Sequence, residues 1–210
     1  MATVVLLGTL DTKGHEYAFL RDRVLEHGVD VVLVDAGIMG EPLARPDIGR
    51  EEVAAAAGAD VTELAAAGDR GAAIETMARG AAEIVQRLHA EGRLDGIAGL
   101  GGSGGSALVT QAMRALPVGV PKLMVSTVAS GDTRPYVGAT DVTMTYSVVD
   151  ISGVNRISAR IMANAAGAIA GMAKATVPPG DEDRPLIGAT MFGVTTPCVT
   201  RARERLEELG

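Results

Sequence analysis

Short apolar or β-branched runs alternate with longer segments of helical periodicity along most of this chain. The short runs predict strands at residues 3–8, 29–35, 95–101, 121–127 and 142–147. Between them, apolar side chains recur every three or four positions and predict helices at 13–27, 49–57, 60–67, 71–91, 104–115 and 153–175. This alternation predicts an α/β fold with a Rossmann-like, doubly wound and mainly parallel sheet.

The pattern is interrupted after residue 177, where two prolines and a glycine precede an acidic run. Beyond it, residues 185–191 predict one more strand and residues 197–209 one more helix. Two elements are too few to form a domain of their own. We therefore predict an α/β domain over 1–177, a linker over 178–184, and the beginning of a truncated second α/β subdomain over 185–210.

Composition narrows the classes of function. The net charge is −7, and the 19 lysines and arginines form no basic stripe, which argues against a partner of duplex nucleic acid. No apolar run approaches the length of a membrane span, and the amino terminus lacks the basic region of a signal peptide, so we expect a cytoplasmic protein without a membrane partner. Cys198 is the only cysteine, which excludes an intramolecular disulfide and a cysteine-rich zinc site.

The loop after the first strand, GTLDTKG, is one candidate for chemistry. In doubly wound sheets, ligands bind beyond the carboxyl ends of the strands, where the strand order reverses. The long connection 36–94 is expected to leave the first strand central, so the loops after the first and third strands would flank that crevice. The first loop offers two hydroxyls, a carboxylate and a cation beside a helix start. Its candidate ligand-binding residues are Gly8, Thr9, Asp11, Thr12 and Lys13. Asp11 or Thr12 could equally cap the helix, with Lys13 in solvent.

The loop after the third strand, within GLGGSGGSAL, is the second candidate. Its glycines leave backbone N–H groups accessible, and the following helix adds the positive end of its dipole. The residues concerned are Gly101, Gly102, Ser103, Gly104, Gly105 and Ser106. The loop lacks the Gly-Lys-Ser/Thr ending of a Walker A motif. GGSGG also has the letters of an esterase elbow, but no histidine follows it, so an esterase is excluded.

Three further polar clusters follow strands or precede a helix. The loop after the fourth strand supplies Ser126, Thr127, Ser130, Gly131, Asp132 and Thr133. Asp132 could instead cap a helix beside a surface arginine, Arg134. Asp35 ends the second strand, where an acidic residue can bind a ribose hydroxyl or cap a turn. Asp150 or Ser152 could cap the long helix at 153–175.

The motifs GTLDTKG, GLGGSGGSALV, STVASGDTRPYVG and DISGVNRIS, in this order, resemble the family of the ATP-binding N-terminal domain of the tomato mosaic virus resistance protein, which has largely uncharacterised microbial members. The resemblance covers residues 2–210. It implies a Rossmann-like ATP-binding subdomain followed by a second α/β subdomain of similar size. It also implies that the first loop, the GGSGGS loop and the loop 126–133 surround the nucleotide.

We therefore predict an ATP-binding domain, with Mg²⁺ bridging the phosphates. Residues 101–106 would contact phosphate, Lys13 would neutralise charge, and Asp11 or Asp132 would reach the metal directly or through water. A nucleotide-stabilised dimerisation or protein-interaction module is the first alternative, since Gly167 and Gly171 would allow close helix packing in a homodimer. An enzyme acting on a sugar phosphate or acyl phosphate is the second, because no tyrosine is obviously placed to stack on adenine. No residue stands out as a general base, although Arg134 and Arg156 could stabilise charge during nucleotide hydrolysis.

Overall fold

A computed structural model describes residues 1–176 and 187–209 of the chain. Two compact units are distinguished, residues 1–175 and residues 176–210. The predicted linker 178–184 lies outside the described residues. The boundaries at 177 and 185 stay predictions.

The first unit contains a five-stranded sheet in which every neighbouring pair of strands is parallel. The strand order is β2-β1-β3-β4-β5. The bounds are β1 Thr3–Gly8, β2 Asp30–Asp35, β3 Gly96–Gly101, β4 Lys122–Ser126 and β5 Thr143–Tyr146. β1 therefore lies between β2 and β3, as expected from the long connection after β2, and the predicted Rossmann-like doubly wound fold is confirmed.

Helices cover both faces of this sheet. Their bounds are α1 Leu10–Glu26, α2 Arg50–Ala56, α3 Val61–Ala67, α4 Arg70–Ala90, α5 Ser103–Arg114, α6 Arg134–Val137 and α7 Arg156–Lys174. Successive strand side chains point to opposite faces, so Val5 and Leu7 pack with α4 and α5, while Val4 and Leu6 pack with α1 and α7. Both faces of the central strands are thus buried, which is why their sequences are continuously apolar.

The starts of two helices differ from the predictions. α1 begins at Leu10 and not at residue 13, so most of the GTLDTKG segment is helical. Its N-cap residue is Thr9, and neither Asp11 nor Thr12 caps it. The earlier start has a tertiary cause, because the backbone N–H of Leu10 donates to the carboxylate of Asp35 at 2.9 Å. The helix is kinked at Lys13, where φ is −129° and ψ is 16°.

α7 begins at Arg156, and Asn155 caps it in a reciprocal arrangement with Ser158. The predicted caps Asp150 and Ser152 are therefore wrong, because the helix begins later than predicted and Asn155 occupies the N-cap position. Gly167 of α7 lies close to α1, and a Cβ atom there would be 3.3 Å from Nε2 of His27. That glycine serves packing within the domain.

In the second unit, residues 196–209 form α8, in agreement with the predicted helix. Residues 187–191 are not in a strand, so the strand prediction is wrong for these positions. A strand is stable only when a neighbouring strand pairs with its backbone N–H and C=O groups, and the apolar pattern of one segment does not show whether such a strand is present. Within the described parts of the chain, no helix has the length and apolar character needed to cross a bilayer.

Candidate functional site

A pocket of about 330 Å³ opens at the carboxyl ends of β1 and β3. The strand order reverses between these two strands, which is where doubly wound sheets bind ligands. Four segments line the pocket: the start of α1, the loop after β2, one side of α4, and the first turns of α5. The residues are Thr9, Asp11, Thr12, Ala36, Ile38, Met39, Arg70, Ala73, Ile74, Met77, Gly104, Gly105 and Leu108.

Tyr17 separates β1 from β3 near their carboxyl ends. Its hydroxyl donates to the carbonyl of Leu7 at 2.5 Å and accepts the backbone N–H of Leu100 at 2.8 Å. The two strands pair only as far as Leu6 and Ala98, so the hydroxyl takes the place of the next backbone contact. The side chain is fully buried, and this burial raises the pKa of Tyr17 far above its usual value, against the effect of its backbone hydrogen bond. The strands are therefore held apart by a neutral phenol.

Asp35 organises the loop after β2 from inside the protein. One carboxylate oxygen accepts the backbone N–H groups of Leu10 at 2.9 Å and Gly37 at 2.8 Å. The other pairs with the guanidinium of Arg50 at 3.0 Å. The side chain of Asp35 is 1% exposed. All these contacts are internal and hold Asp35 in place, and its contact with a ribose stays a prediction.

Asp11 presents one unpaired carboxylate oxygen beside the pocket. Its Oδ2 atom accepts the backbone N–H of Met39 at 2.6 Å. Its Oδ1 atom is buried and has no hydrogen-bond partner among the described residues. The carboxylate lies over Gly37, where a Cβ atom would approach its Cγ atom to 2.6 Å. A glycine at position 37 is thus required for this position of Asp11, and the Oδ1 atom is enclosed by the surrounding protein.

The Gly/Ser-rich segment forms the start of α5. Gly102 is the N-cap residue, and no side chain caps the helix. The first intrahelical bond runs from the N–H of Ser106 to the carbonyl of Gly102, so the N–H groups of Ser103, Gly104 and Gly105 precede it and lack helical partners. Gly104 and Gly105 line the pocket, and these donors together with the helix dipole favour an anion.

Ser106 and Ser126 face inward. Their hydroxyls are 2.7 Å apart, and both side chains are fully buried. Thr127, just after β4, contacts the end of β3, since its N–H donates to the carbonyl of Gly101 at 3.2 Å. These predicted residues therefore connect the ends of β3 and β4 and do not line the pocket.

The remainder of the third loop, residues 130–133, and Lys13 also lie outside the pocket lining. Asp132 forms an exposed ion pair with Arg134 at 2.7 Å, whose hydrogen bonds lower the pKa of that carboxyl. Lys13 is not free in solvent, because its ammonium group donates to the carbonyl of Ile151. The described residues contain no cluster of three potential metal ligands. The predicted roles of Asp11 and Asp132 as metal ligands stay predictions.

The sequence analysis missed the wall formed by α4 and the loop after β2. The missed residues that line the pocket are Ala36, Ile38, Met39, Arg70, Ala73, Ile74, Met77 and Leu108. One local signal could have indicated Arg70: it is the first residue of α4, where the helix dipole disfavours a cation. Met39 gave no such signal: it is a single apolar residue in a loop, 77% exposed, and single exposed apolar residues are common on protein surfaces.

Comparison with known proteins gives a family for this fold and site. A model described as the N-terminal domain of an uncharacterised protein family, UPF0261, matches residues 2–178. The chain belongs to the UPF0261 family. The model for the C-terminal domain of UPF0261 matches residues 184–210.

Several relatives match nearly the whole chain. The UPF0261 protein of Clostridium tetani is 52% identical over 207 residues, which cover 99% of this chain and 51% of the relative. A UPF0261 protein of Mesorhizobium japonicum is 44% identical over 206 residues, covering 98% of this chain and 51% of the relative. The chain thus spans about half the length of these relatives.

The predicted relationship to the tomato protein is confirmed. The ToMV resistance protein Tm-1(GCR237) of Solanum lycopersicum is 43% identical over 146 residues, which cover 67% of this chain and 19% of that protein. The ToMV susceptible protein tm-1(GCR26) is 36% identical over 227 residues, covering 99% of this chain and 30% of that protein. UPF0261 domains therefore occur in bacterial and plant proteins.

Proposed function

We propose that this chain is a nucleotide-binding domain, and that ATP binds in the pocket between the start of α5 and α4. The observation that carries the proposal is the meeting of Gly104 and Gly105 with Arg70 at one pocket, at the reversal of strand order. The resemblance to an ATP-binding family supports the choice of nucleotide. We further propose a cytoplasmic location, consistent with the free thiol of Cys198.

The phosphate end of the ligand belongs at the start of α5. Three unpaired N–H groups and the helix dipole favour negative charge there. A Cβ atom at Gly104 would lie 3.3 Å from Ile74 and 3.7 Å from the Nη2 atom of Arg70. The missing side chain therefore leaves space for phosphate oxygens next to a guanidinium. We assign Arg70, and not Lys13, to the phosphates, since the ammonium group of Lys13 donates a hydrogen bond to the carbonyl of Ile151.

The donor set does not fit a dedicated Mg²⁺ site. Asp11 has one oxygen bonded to the N–H of Met39 and the other enclosed by protein, whereas Asp132 is exposed and paired with Arg134. Mg²⁺ commonly reaches proteins on phosphates and water, with one or two carboxylates. We therefore propose that any Mg²⁺ binds as part of the nucleotide complex, and we assign it no step.

Calorimetric titration of the chain with ATP tests the proposal, with ADP and ribose 5-phosphate as further ligands. Gly104→Val should abolish ATP binding, because its branched side chain enters the space beside Ile74 and Arg70. Gly171→Val is the matched control, since Gly171 lies on α7 with open space around it. Thermal denaturation of both variants checks that they are folded.

ATP affinity that is equal in the two glycine variants would refute the placement of the phosphates. Ribose 5-phosphate binding in the absence of ATP binding would instead favour the sugar-phosphate enzyme, which would use the same start of α5. Release of phosphate during prolonged incubation with ATP would show turnover. Tight ATP binding without turnover, together with ATP-dependent dimerisation in sedimentation, would favour the interaction module.

A further inference from the structure

We propose that the pocket also binds a second class of ligand, an anionic group carried on a short aliphatic chain, with the chain inserted between α4 and α5. This inference rests on the phosphate site that the proposed function places at the start of α5, and it goes beyond that function because the ligand is not a nucleotide. The shared chemistry is that of an alkyl or acyl phosphate and of an aliphatic carboxylate.

The pocket has a polar outer end and an apolar interior because of the direction in which α4 and α5 run. α4 leads into the start of β3 and α5 leaves its end, so both helices begin at the carboxyl edge of the sheet. At these starts the lining residues are Arg70, which is exposed, and Gly104 and Gly105. Further along the helices the lining residues are Met77 and Leu108, which are 1% and 2% exposed. The lining thus becomes apolar as it enters the core.

The aliphatic wall begins next to the place assigned to the anion. A Cβ atom at Gly104 would lie 3.3 Å from Cδ1 of Ile74, so this methyl group is close to the first turn of α5. Ala73 and Met77 continue the same face of α4 as Arg70 and Ile74. The helix rises about 10 Å from Arg70 to Met77, which is about the length of an anionic group followed by roughly five carbons.

The polar side chains that line the pocket besides Arg70 are bonded or enclosed within the protein. The hydroxyls of Thr9 and Thr12 are 2.8 Å apart, and that of Thr12 also lies 3.3 Å from the carbonyl of Thr9. Asp11 accepts the N–H of Met39 through Oδ2, and its Oδ1 atom is enclosed. A ligand hydroxyl would therefore lose water in the interior without a matched partner, which costs free energy, whereas a hydrocarbon chain has no hydrogen bonds to lose. The lining favours an aliphatic chain over a polyol.

Calorimetric titration of the full chain with methyl, propyl and pentyl phosphate tests this inference, because these probes share the anion and differ only in the chain. Each further methylene that is buried should tighten binding about fourfold, so pentyl phosphate should bind on the order of 100-fold more tightly than methyl phosphate. Ribose 5-phosphate has the same number of carbons as pentyl phosphate but carries hydroxyls. It should bind about tenfold or more weakly than pentyl phosphate, because its hydroxyls lack partners in the interior.

Ala73→Leu tests the position of the chain. Ala73 lines the interior and is 1% exposed, so a larger side chain would fill the space of the terminal carbons. The variant should bind pentyl phosphate about tenfold more weakly and leave methyl phosphate affinity unchanged. Ala72→Leu is the matched control, since the neighbouring Ala72 is exposed, and it should retain the dependence on chain length. Arg70→Gln should weaken all three alkyl phosphates by a similar factor, because each presents the same anion.

Pentanoate distinguishes the two sources of this chemistry. Tighter binding of pentanoate than of pentyl phosphate would assign a carboxylate to the anion end, and weaker binding would assign a phosphate ester. ATP should displace pentyl phosphate, because both ligands require the first turn of α5. ATP affinity that is unaffected by saturating pentyl phosphate would overturn the inference.

The remaining outcomes separate this inference from the proposed function. Equal affinity of the unmodified chain for the three alkyl phosphates would overturn the inference, even if Ala73→Leu failed to fold, and would leave the phosphate site intact. Pentyl phosphate that binds no more tightly than ribose 5-phosphate would also overturn it. Binding that depends on chain length without any binding of ATP would refute the proposed nucleotide and leave the aliphatic ligand. Failure of ATP and of every alkyl phosphate to bind would refute both.

Discussion

The buried ion pair between Asp35 and Arg50 gives the sharpest test of how this site is built. Asp35→Asn preserves the shape of the side chain and removes its charge. The new amide can still accept the N–H groups of Leu10 and Gly37 through one oxygen, but its NH₂ group would face the guanidinium of Arg50. Two donors then meet where a salt bridge was, and a largely buried cation loses its partner.

The expected cost follows from burial. The side chains of Asp35 and Arg50 are 1% and 11% exposed, respectively. Removing one partner of a buried pair typically costs about 3–5 kcal/mol. Arg50 keeps a hydrogen bond to the carbonyl of Gly40 and some access to water, so we expect the lower end, about 3 kcal/mol. For a domain of this size, that corresponds to a fall in the melting temperature of about 6–12 °C.

Urea unfolding followed by far-ultraviolet circular dichroism measures the change. The midpoint should fall while the slope of the free energy against urea stays constant, because the surface exposed on unfolding does not change. Asp132→Asn is the control: it makes the same substitution in an ion pair with Arg134 that is exposed to solvent, where such pairs contribute little. A loss for Asp35→Asn below about 1 kcal/mol, or one no larger than that of the control, would refute the reasoning.

Two further predictions concern buried polar groups. Tyr17→Phe should lower the free energy of unfolding by about 1–3 kcal/mol because the N–H of Leu100 loses its acceptor. Since burial raises the pKa of Tyr17, the difference in unfolding free energy between the two proteins, measured with urea, should shrink as pH rises above about 10. A difference that stays constant with pH would contradict this role of Tyr17. Burial tends to raise the pKa of Asp141, but hydrogen bonds from Lys122 and from the N–H of Gly119 lower it overall. Asp141→Asn should therefore be less stable than the unmodified chain at neutral pH, with the difference fading as pH falls below about 4; a difference independent of acid would count against this ion pair.

Local pattern predicted most of the first unit. The continuously apolar strands and the helical periodicity reflect burial, which a sequence records residue by residue. The connection 36–94 predicted that β1 would lie next to β3, and so that their two loops would meet. Thr9, Asp11, Thr12, Gly104 and Gly105 do line one pocket. This much follows from the sequence because parallel strands place their carboxyl ends at one edge of the sheet.

Only the tertiary structure decided which polar groups are available to a ligand. In the sequence, Asp35 and Lys13 are candidate ligand-binding residues just as Asp11 is. In the structure, Asp35 forms an ion pair with Arg50, and Lys13 donates a hydrogen bond to the carbonyl of Ile151. Asp11 differs because it lies in the pocket wall, where the N–H of Met39 donates to one of its oxygens and the surrounding protein encloses the other.

The rest of the pocket was likewise decided by packing. Ile74 and Met77 belong to a periodic apolar pattern that indicates a buried helix face. That pattern does not say whether the face meets the sheet, another helix or a cavity. The sequence by itself thus determined the sheet, its helices and the edge where the pocket lies, because these depend on local periodicity and connection length. The tertiary structure alone decided the chemistry of the pocket, because hydrogen-bond partners and cavity walls come from segments far apart in the chain.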